Sequence, residues 1–193
     1  MTEMITQVPP PAAGATRLPL AGTDHSPQQY LTFLLGGEMF AVGILNVKEI
    51  IEYGIVTRIP MTPPFIRGVI NLRGSVVPIV DLASRFGKPP SKVSRRTCIV
   101  IIEVNEGEER HDLGIIVDAV SEALEIPSSE IEPPPTFGAN IRSDFITGMG
   151  KVNGRFVIIL NVDQVLSVEE ISLLSQMAAS GTTPEAGTEA GAS

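Results

Sequence analysis

One stretch of this chain occurs twice. Phe65 to Leu82, FIRGVINLRGSVVPIVDL, and Phe145 to Val162, FITGMGKVNGRFVIILNV, align without gaps. They are identical at six of eighteen positions: Phe65/Phe145, Ile66/Ile146, Gly68/Gly148, Gly74/Gly154, Val77/Val157 and Ile79/Ile159. Upstream, Phe40 to Ile50 lies over Leu113 to Ala123 and matches at Val47/Val120 and Glu49/Glu122. A repeat of this size calls for two similar β units, about residues 40–82 and 113–162. Each copy reads as strand, tight turn, strand. Gly68 and Gly74 mark places where the backbone needs positive φ or a close approach. The run Val76, Val77, Ile79, Val80 is the pattern of a strand buried on both faces. Where the first copy has Arg73 the second has Asn153. A residue present in only one copy is not demanded by the shared fold, so Arg73 becomes a site candidate.

Hydrophobic residues make up 43% of the chain and charged residues 19%, enough apolar material for a packed core. Sixteen prolines and eighteen glycines punctuate short apolar runs, the all-β pattern. Residues 1–29, rich in Pro, Ala and Gly, are expected to be a disordered tail, as are residues 180–193. The ordered domain is expected over 30–179. Within it, Gly36-Gly37 suits a hairpin turn, with Tyr30, Thr32 and Leu34 on one side and Leu31, Phe33 and Leu35 on the other. Ile44, Val47 and Ile51 are spaced three and four apart, which favours a helical turn over 44–51 against a strand. Val56 to Ile59 reads as a strand ended by Pro60. Asp81 to Gly87 reads as a short helix with a glycine stop. Lys88 to Arg96, KPPSKVSRR, is a basic loop, read as a solvated face ahead of a phosphate site. Thr97 to Val104 is a strand, NEGEERHD a turn, and Ser128 to Asn140 an extended connector. Ser167 and Glu170 form a capping box for a C-terminal helix, 168–178, which packs on a barrel through Ile171, Leu174 and Ala178.

Catalytic sets are missing. His25 and His111 stand apart, and neither they nor Cys98 have metal-ligand spacing. No phosphate loop or nucleophile elbow occurs. Asp81, Asp118 and Asp163 each follow an apolar run and read as turn formers or caps rather than an acid/base pair. A net charge of −8, no Trp and two Tyr disfavour nucleic acid and anionic lipid. The single cysteine rules out an internal disulfide and fits a reducing compartment. The N-terminus lacks the pattern of a secretory signal, and no apolar run reaches membrane-span length, so a cytoplasmic protein is expected.

The order of these motifs resembles a family. FAVGILNVKEII, then VTRIP followed by PPFIRGVINLRGSVVPIVDL, then LGIIVDAVSEAL, FITGMG and the Ser167-capped helix are similar to the CheW coupling proteins of bacterial chemotaxis, over about residues 28–179. The resemblance implies an all-β fold of two intertwined five-stranded SH3-like barrels with short helices and a C-terminal helix. It implies a non-catalytic adaptor, without metal or cofactor, that couples chemoreceptor hairpin tips to the regulatory domain of the histidine kinase CheA. Further CheW-like domains in array rings are expected partners; nucleic acid is not, and the membrane is reached only through receptors. Carried over by position, the receptor-binding and coupling residues are Ile44, Val47, Glu49, Gly68, Arg73, Cys98, Ile99 and Gly114, in a groove between the barrels. Glu49 and Arg73 are expected to pair at its edge. The resemblance leaves the kinase-binding residues unassigned. Two readings compete with it: a small-barrel reader of nucleic acid, and a ligand-binding barrel or enzyme built around an enclosed cavity.

Overall fold

In the computed structural model the described residues are 28–106, 108–134, 142–165, 170 and 176. They form eleven strands and one short helix: β1 Gln28–Leu35, β2 Glu38–Gly43, β3 Val47–Glu52, β4 Ile66–Leu72, β5 Ser75–Asp81, α1 Leu82–Arg85, β6 Cys98–Glu106, β7 Glu109–Val117, β8 Ala119–Ile126, β9 Ile131–Glu132, β10 Ile146–Val152 and β11 Arg155–Leu160. Two sheets result, in the orders β8-β1-β2-β11-β10-β9 and β3-β6-β7-β5-β4.

The repeat explains this order. With the strand that precedes each counted in, the first copy supplies β1 to β5 and the second β6, β7, β8, β10 and β11. Each sheet then takes its first hairpin from one copy and its third strand and last hairpin from the other. The two sheets thus carry the same order with the copies exchanged, plus β9 on the edge of one. The repeat-related hairpins share a register: Ile66 faces Val80 and Gly68 faces Ile79, as Ile146 faces Leu160 and Gly148 faces Ile159, each with a bulge between the two pairs. The parallel pairs that join the copies correspond too, Ile79 to Gly114 and Ile159 to Ala41. The order is that of the intertwined SH3-like pair. The ladders leave each sheet open, so the barrels are curled rather than closed.

Alternation assigns each strand face to a different core. Val77, Ile79, Ile99, Ile101 and Ile116 pack inside the curl of the β3–β7 sheet. Tyr30, Ala41, Ile126, Val157 and Ile159 do the same in the other. The opposite faces, among them Leu31, Phe33, Leu35, Val80, Val100, Ile102, Ile115 and Leu160, meet between the sheets in the largest core. Buried on both faces, these strands have the near-continuous apolar runs seen in the sequence. Phe33, Phe40, Phe86 and Phe145 stack in succession through the central core at ring separations of 6.2, 5.8 and 5.9 Å.

Several expected elements take other forms. Residues 44–51 hold one 3-10 turn, Ile44–Asn46, and then strand β3. The three spaced residues do not share a face: Ile44, in the turn, and Val47 pack against the central core, whereas Ile51 packs inside the curl of its own sheet. A bulge between Val47 and Glu49 shifts the alternation, so Ile51, four residues on, lies on the opposite face from Val47. Residues 56–60 form no strand, only a bridge from Thr57 to Val69. Proline at 60, 63 and 64 removes backbone donors there. The 105–112 turn is shorter than expected, since the β6–β7 ladder extends to Glu106 and Glu109. The connector after β8 contains a 3-10 turn, Ser128–Glu130, and strand β9, which pairs with β10. Glu170 and Gln176 are helical. The remaining expectations for helix 168–178, and those for residues 1–27 and 180–193, lie outside the described residues.

Candidate functional site

Leu72 and Ser75 are the last pair of the β4–β5 ladder, so Arg73 and Gly74 alone make the turn. Both have positive φ, 51° and 91°, as the primed two-residue turn that matches strand twist requires. Asn71 Oδ1 accepts from Gly74 N–H at 2.9 Å. The second copy turns identically through Asn153 and Gly154, at φ 50° and 75°. Asn is among the residues that visit the left-handed region readily, whereas Arg meets its full steric cost, about 1–2 kcal/mol. Arg73 recovers little of it. Its side chain is 78% exposed, and its Nη2 donates to Glu49 Oε2 at 2.9 Å, forming the expected ion pair. Exposed pairs contribute about 0–1 kcal/mol. The turn would be as stable with Asn, so stability does not account for arginine here.

Glu49 stands on β3, one edge of the open sheet, and Arg73 at the tip of the hairpin forming the other edge. The pair spans the mouth of the curl. On the opposite face of β3, toward the second sheet, the apolar side chains reach solvent. Ile44, Val47 and Cys98 are half-buried against the central core. Ile50, next to Val47 on that face, is 43% exposed. Leu45, in the 3-10 turn, is almost fully exposed. These residues form an apolar margin where the central core surfaces between the sheets, and the Glu49–Arg73 pair lies on the other face of β3.

Of the eight residues singled out from the sequence, Ile44, Val47 and Cys98 lie on this margin, and Glu49 and Arg73 pair across the mouth of the curl. Gly68, Ile99 and Gly114 lie within the wall. Gly68 has φ 143°, and a Cβ there would stand 2.0 Å from the Thr57 carbonyl oxygen. Ile99 is buried between Ile51 and Ile116. A Cβ on Gly114 would stand 2.4 Å from Ile79 Cδ1 and 2.8 Å from Ile99 Cγ2. Gly68 lets the Thr57 segment lie close against β4, and Ile99 and Gly114 pack β3, β5, β6 and β7 together; all three are buried.

Two polar clusters were read only partly from sequence. Asp81, fully buried, caps α1 as expected by accepting from Ala83 and Ser84 N–H. It does more. Its Oδ1 accepts from Ser91 Oγ at 3.0 Å, and its Oδ2 from Ser91 N–H and Arg67 Nε, both at 3.0 Å. Arg67 Nη2 donates to Ser91 O at 2.7 Å. The second cluster surrounds Arg85. Its guanidinium lies 4.4 Å from the ring centre of Phe65 and 5.2 Å from that of Phe145, the two repeat-related phenylalanines. It donates to Val165 O at 2.8 Å and in a two-pronged contact to Glu170, both bonds 2.9 Å. Comparing the copies finds the first cluster: Arg67 and Asp81 answer to Thr147 and Asn161. Among the described residues no three His, Cys, Asp or Glu are placed to hold a metal ion, and no helix is long and apolar enough to cross a membrane.

Comparison with known proteins places this geometry. The family model of the CheW-like domain matches residues 29–170. The chain is 37% identical over 166 residues to the chemotaxis protein CheW of Klebsiella aerogenes, covering 86% of this chain and 97% of that one. It is 35% identical over 139 residues to chemotaxis protein CheW of Helicobacter pylori, covering 72% and 81%. Among solved structures, the scaffolding protein TtCheW from Thermoanaerobacter tengcongensis superposes with a TM-score of 0.68 at 32% identity, covering 82% of this chain and 96% of that one.

Proposed function

The chain belongs to the CheW-like domain family, and on that premise we propose that it is a non-catalytic scaffold linking chemoreceptor hairpin tips to the regulatory domain of CheA, so that receptor state controls the kinase. The observation that carries this reading is Arg73. It occupies a left-handed turn position that its repeat partner fills with Asn, it is exposed, and its one ion pair offsets little of the backbone cost. A residue kept against local preference at the surface is kept for what it contacts. The apolar margin of Ile44, Val47 and Ile50 suits a helical hairpin, whose apolar face needs an apolar reader with a few fixed polar groups to set register. Gly68, Ile99 and Gly114 serve the same surface from within. The protein works in the cytoplasm, held at the inner membrane through receptors, and other CheW-like domains share its array.

A three-way pull-down tests this, using the full chain, a soluble receptor-tip fragment and the CheA regulatory domain. Both are expected to be retained, and Arg73→Glu, which sets a carboxylate against Glu49, is expected to lose the tip while keeping the kinase domain. Retention of neither by the unaltered chain overturns the reading.

A further inference from the structure

The loop from Lys88 to Arg96 is the one cationic run of an acidic chain, and the coupling surface makes no use of it. We propose that it is a second docking surface, built for a short acidic peptide segment of a partner protein that also carries an apolar side chain.

Three features of the loop argue for this. The first is unspent charge. Lys88 is paired with Glu38. Lys92, Arg95 and Arg96 are exposed, and among the described residues their side chains have no ion-pair or hydrogen-bond partner. Lys48, Arg67, Arg73 and Arg85 are paired, while Arg58 on the proline-rich segment and Lys151 and Arg155 on the β10–β11 hairpin are, like the loop cations, without an ion pair among the described residues.

The second is order. Ser91 is clamped by Asp81 and Arg67, and Thr97, buried, closes the other end. Thr97 Oγ1 accepts from Ser94 N–H at 2.8 Å, and Thr97 N–H donates to Ser94 O at 3.2 Å. Both loop ends are thus fixed by buried groups, so the three free cations hang from backbone already held in place. Binding then forgoes much of the usual ordering cost. Between the loop and the Gly36 turn lies an open concavity of about 500 Å³, to which Lys92 and Arg96 contribute, with prolines 89 and 90 as apolar lining. Its one acid, Asp118, is occupied by Gly36 N–H at 2.7 Å. Val93 stands exposed among the cations.

The third feature selects the ligand. A compact phosphate is read by converging backbone N–H groups. Here four of the loop's seven amides are committed, Lys88 N–H to Ala83 O, Ser91 N–H to Asp81, Ser94 N–H to Thr97 and Arg96 N–H to Ser94 Oγ, so the longest run of free N–H groups is Lys92-Val93. Pro89 and Pro90 have none. A long polyanion or an anionic bilayer meets the field of the whole chain, net −8. Separate carboxylates on an extended segment match separate cations on a rigid loop, and Val93 and the prolines meet an apolar side chain between them.

The test is fluorescence anisotropy with the full chain and a labelled peptide in which Glu alternates with Ala and Leu, against its Gln counterpart. Saturable binding of the Glu peptide, weakening with added salt, is expected, and no binding of the Gln peptide. Reversing Lys92, Arg95 and Arg96 to Glu should weaken binding by at least about tenfold with an unchanged melting temperature. Should that triple variant misfold, Lys92→Gln and Arg96→Gln singly each weaken binding. Ser91→Ala keeps every cation but loosens the clamp, and should also weaken it, with faster amide exchange across the loop. Equal binding by the charge-reversed chain, or of the Gln peptide, overturns the proposal. So does equally sensitive binding of inorganic phosphate or phosphatidylserine vesicles.

Discussion

Replacing Arg73 by Asn should separate folding from coupling. The change copies the second repeat into the first, so its structural outcome is already present at Asn153, whose φ of 50° matches 51° at Arg73. Losing the Glu49 contact costs about 0–1 kcal/mol, because Arg73 is largely exposed. Asn is several-fold enriched over other residues in the left-handed region, which returns roughly 0.6–1 kcal/mol. The net change in stability is therefore within about 1 kcal/mol. For a domain of this size that shifts the melting temperature by no more than about 2–4 °C. Binding should respond differently. An arginine that a partner covers and desolvates is worth about 2 kcal/mol or more, some thirtyfold in affinity. The assay is a thermal melt beside titration of a receptor-tip fragment, then kinase activity with receptor, CheA and the variant together. A variant that melts normally and loses tip affinity supports the argument. Unchanged tip affinity and kinase control would refute it. A melting temperature lowered by far more than 4 °C would refute the claim that stability is indifferent to this side chain.

Three further outcomes follow from the geometry. Gly68→Ala drives a Cβ to 2.0 Å from a backbone oxygen and should cost about 3 kcal/mol or more in chemical denaturation, whereas Gly74→Ala, with open space around it, should cost about 1–2 kcal/mol of backbone strain. Arg85→Lys gives up the fork on Glu170 and the stack on Phe65, and should lower stability by about 2–3 kcal/mol with faster amide exchange at Phe86. Hydrogen bonding to Lys48 holds the Glu103 carboxyl below its ordinary range, and Asp112 and then Glu103 raise Lys48 above its own. The carboxylate's contribution is present above the ordinary carboxylate range and lost as pH falls through the lowered value. The ammonium's is present below the ordinary lysine range and lost as pH rises through the raised one. Lys48→Met should flatten both limbs of the melting temperature against pH.

The sequence carried the repeat, the two tight turns, the face assignment of β1 and the cap at Asp81, because these depend on residues close in the chain. The helical reading of 44–51 failed because a bulge between Val47 and Glu49 puts Val47 and Ile51 on opposite faces of β3, one toward the central core and one inside the curl. The strand expected at 56–60 failed because the β4 edge accepts only Thr57 there. Of the candidate site, the exposed turn position of Arg73 and its pairing with Glu49 were legible, because they depend on one side chain against its repeat partner. The site was not legible where it depends on contacts across the fold. Nothing near Gly114 in sequence announces Ile79 and Ile99, and nothing near Arg85 announces Glu170.

The exchange of hairpins between the copies also bears on how the protein is made. β1 and β2 leave the ribosome first, yet their sheet is completed by β10 and β11, the last hairpin described. Until about residue 160 has emerged, the parallel neighbour of β2 does not exist. Neither copy can be cut out as a working barrel, and a chain stopped between β8 and β10 exposes the unpaired edge of β2. Such long-range pairing folds slowly and leaves sticky edges in the interim. Premature termination within the second copy should therefore yield an aggregating fragment rather than half an adaptor.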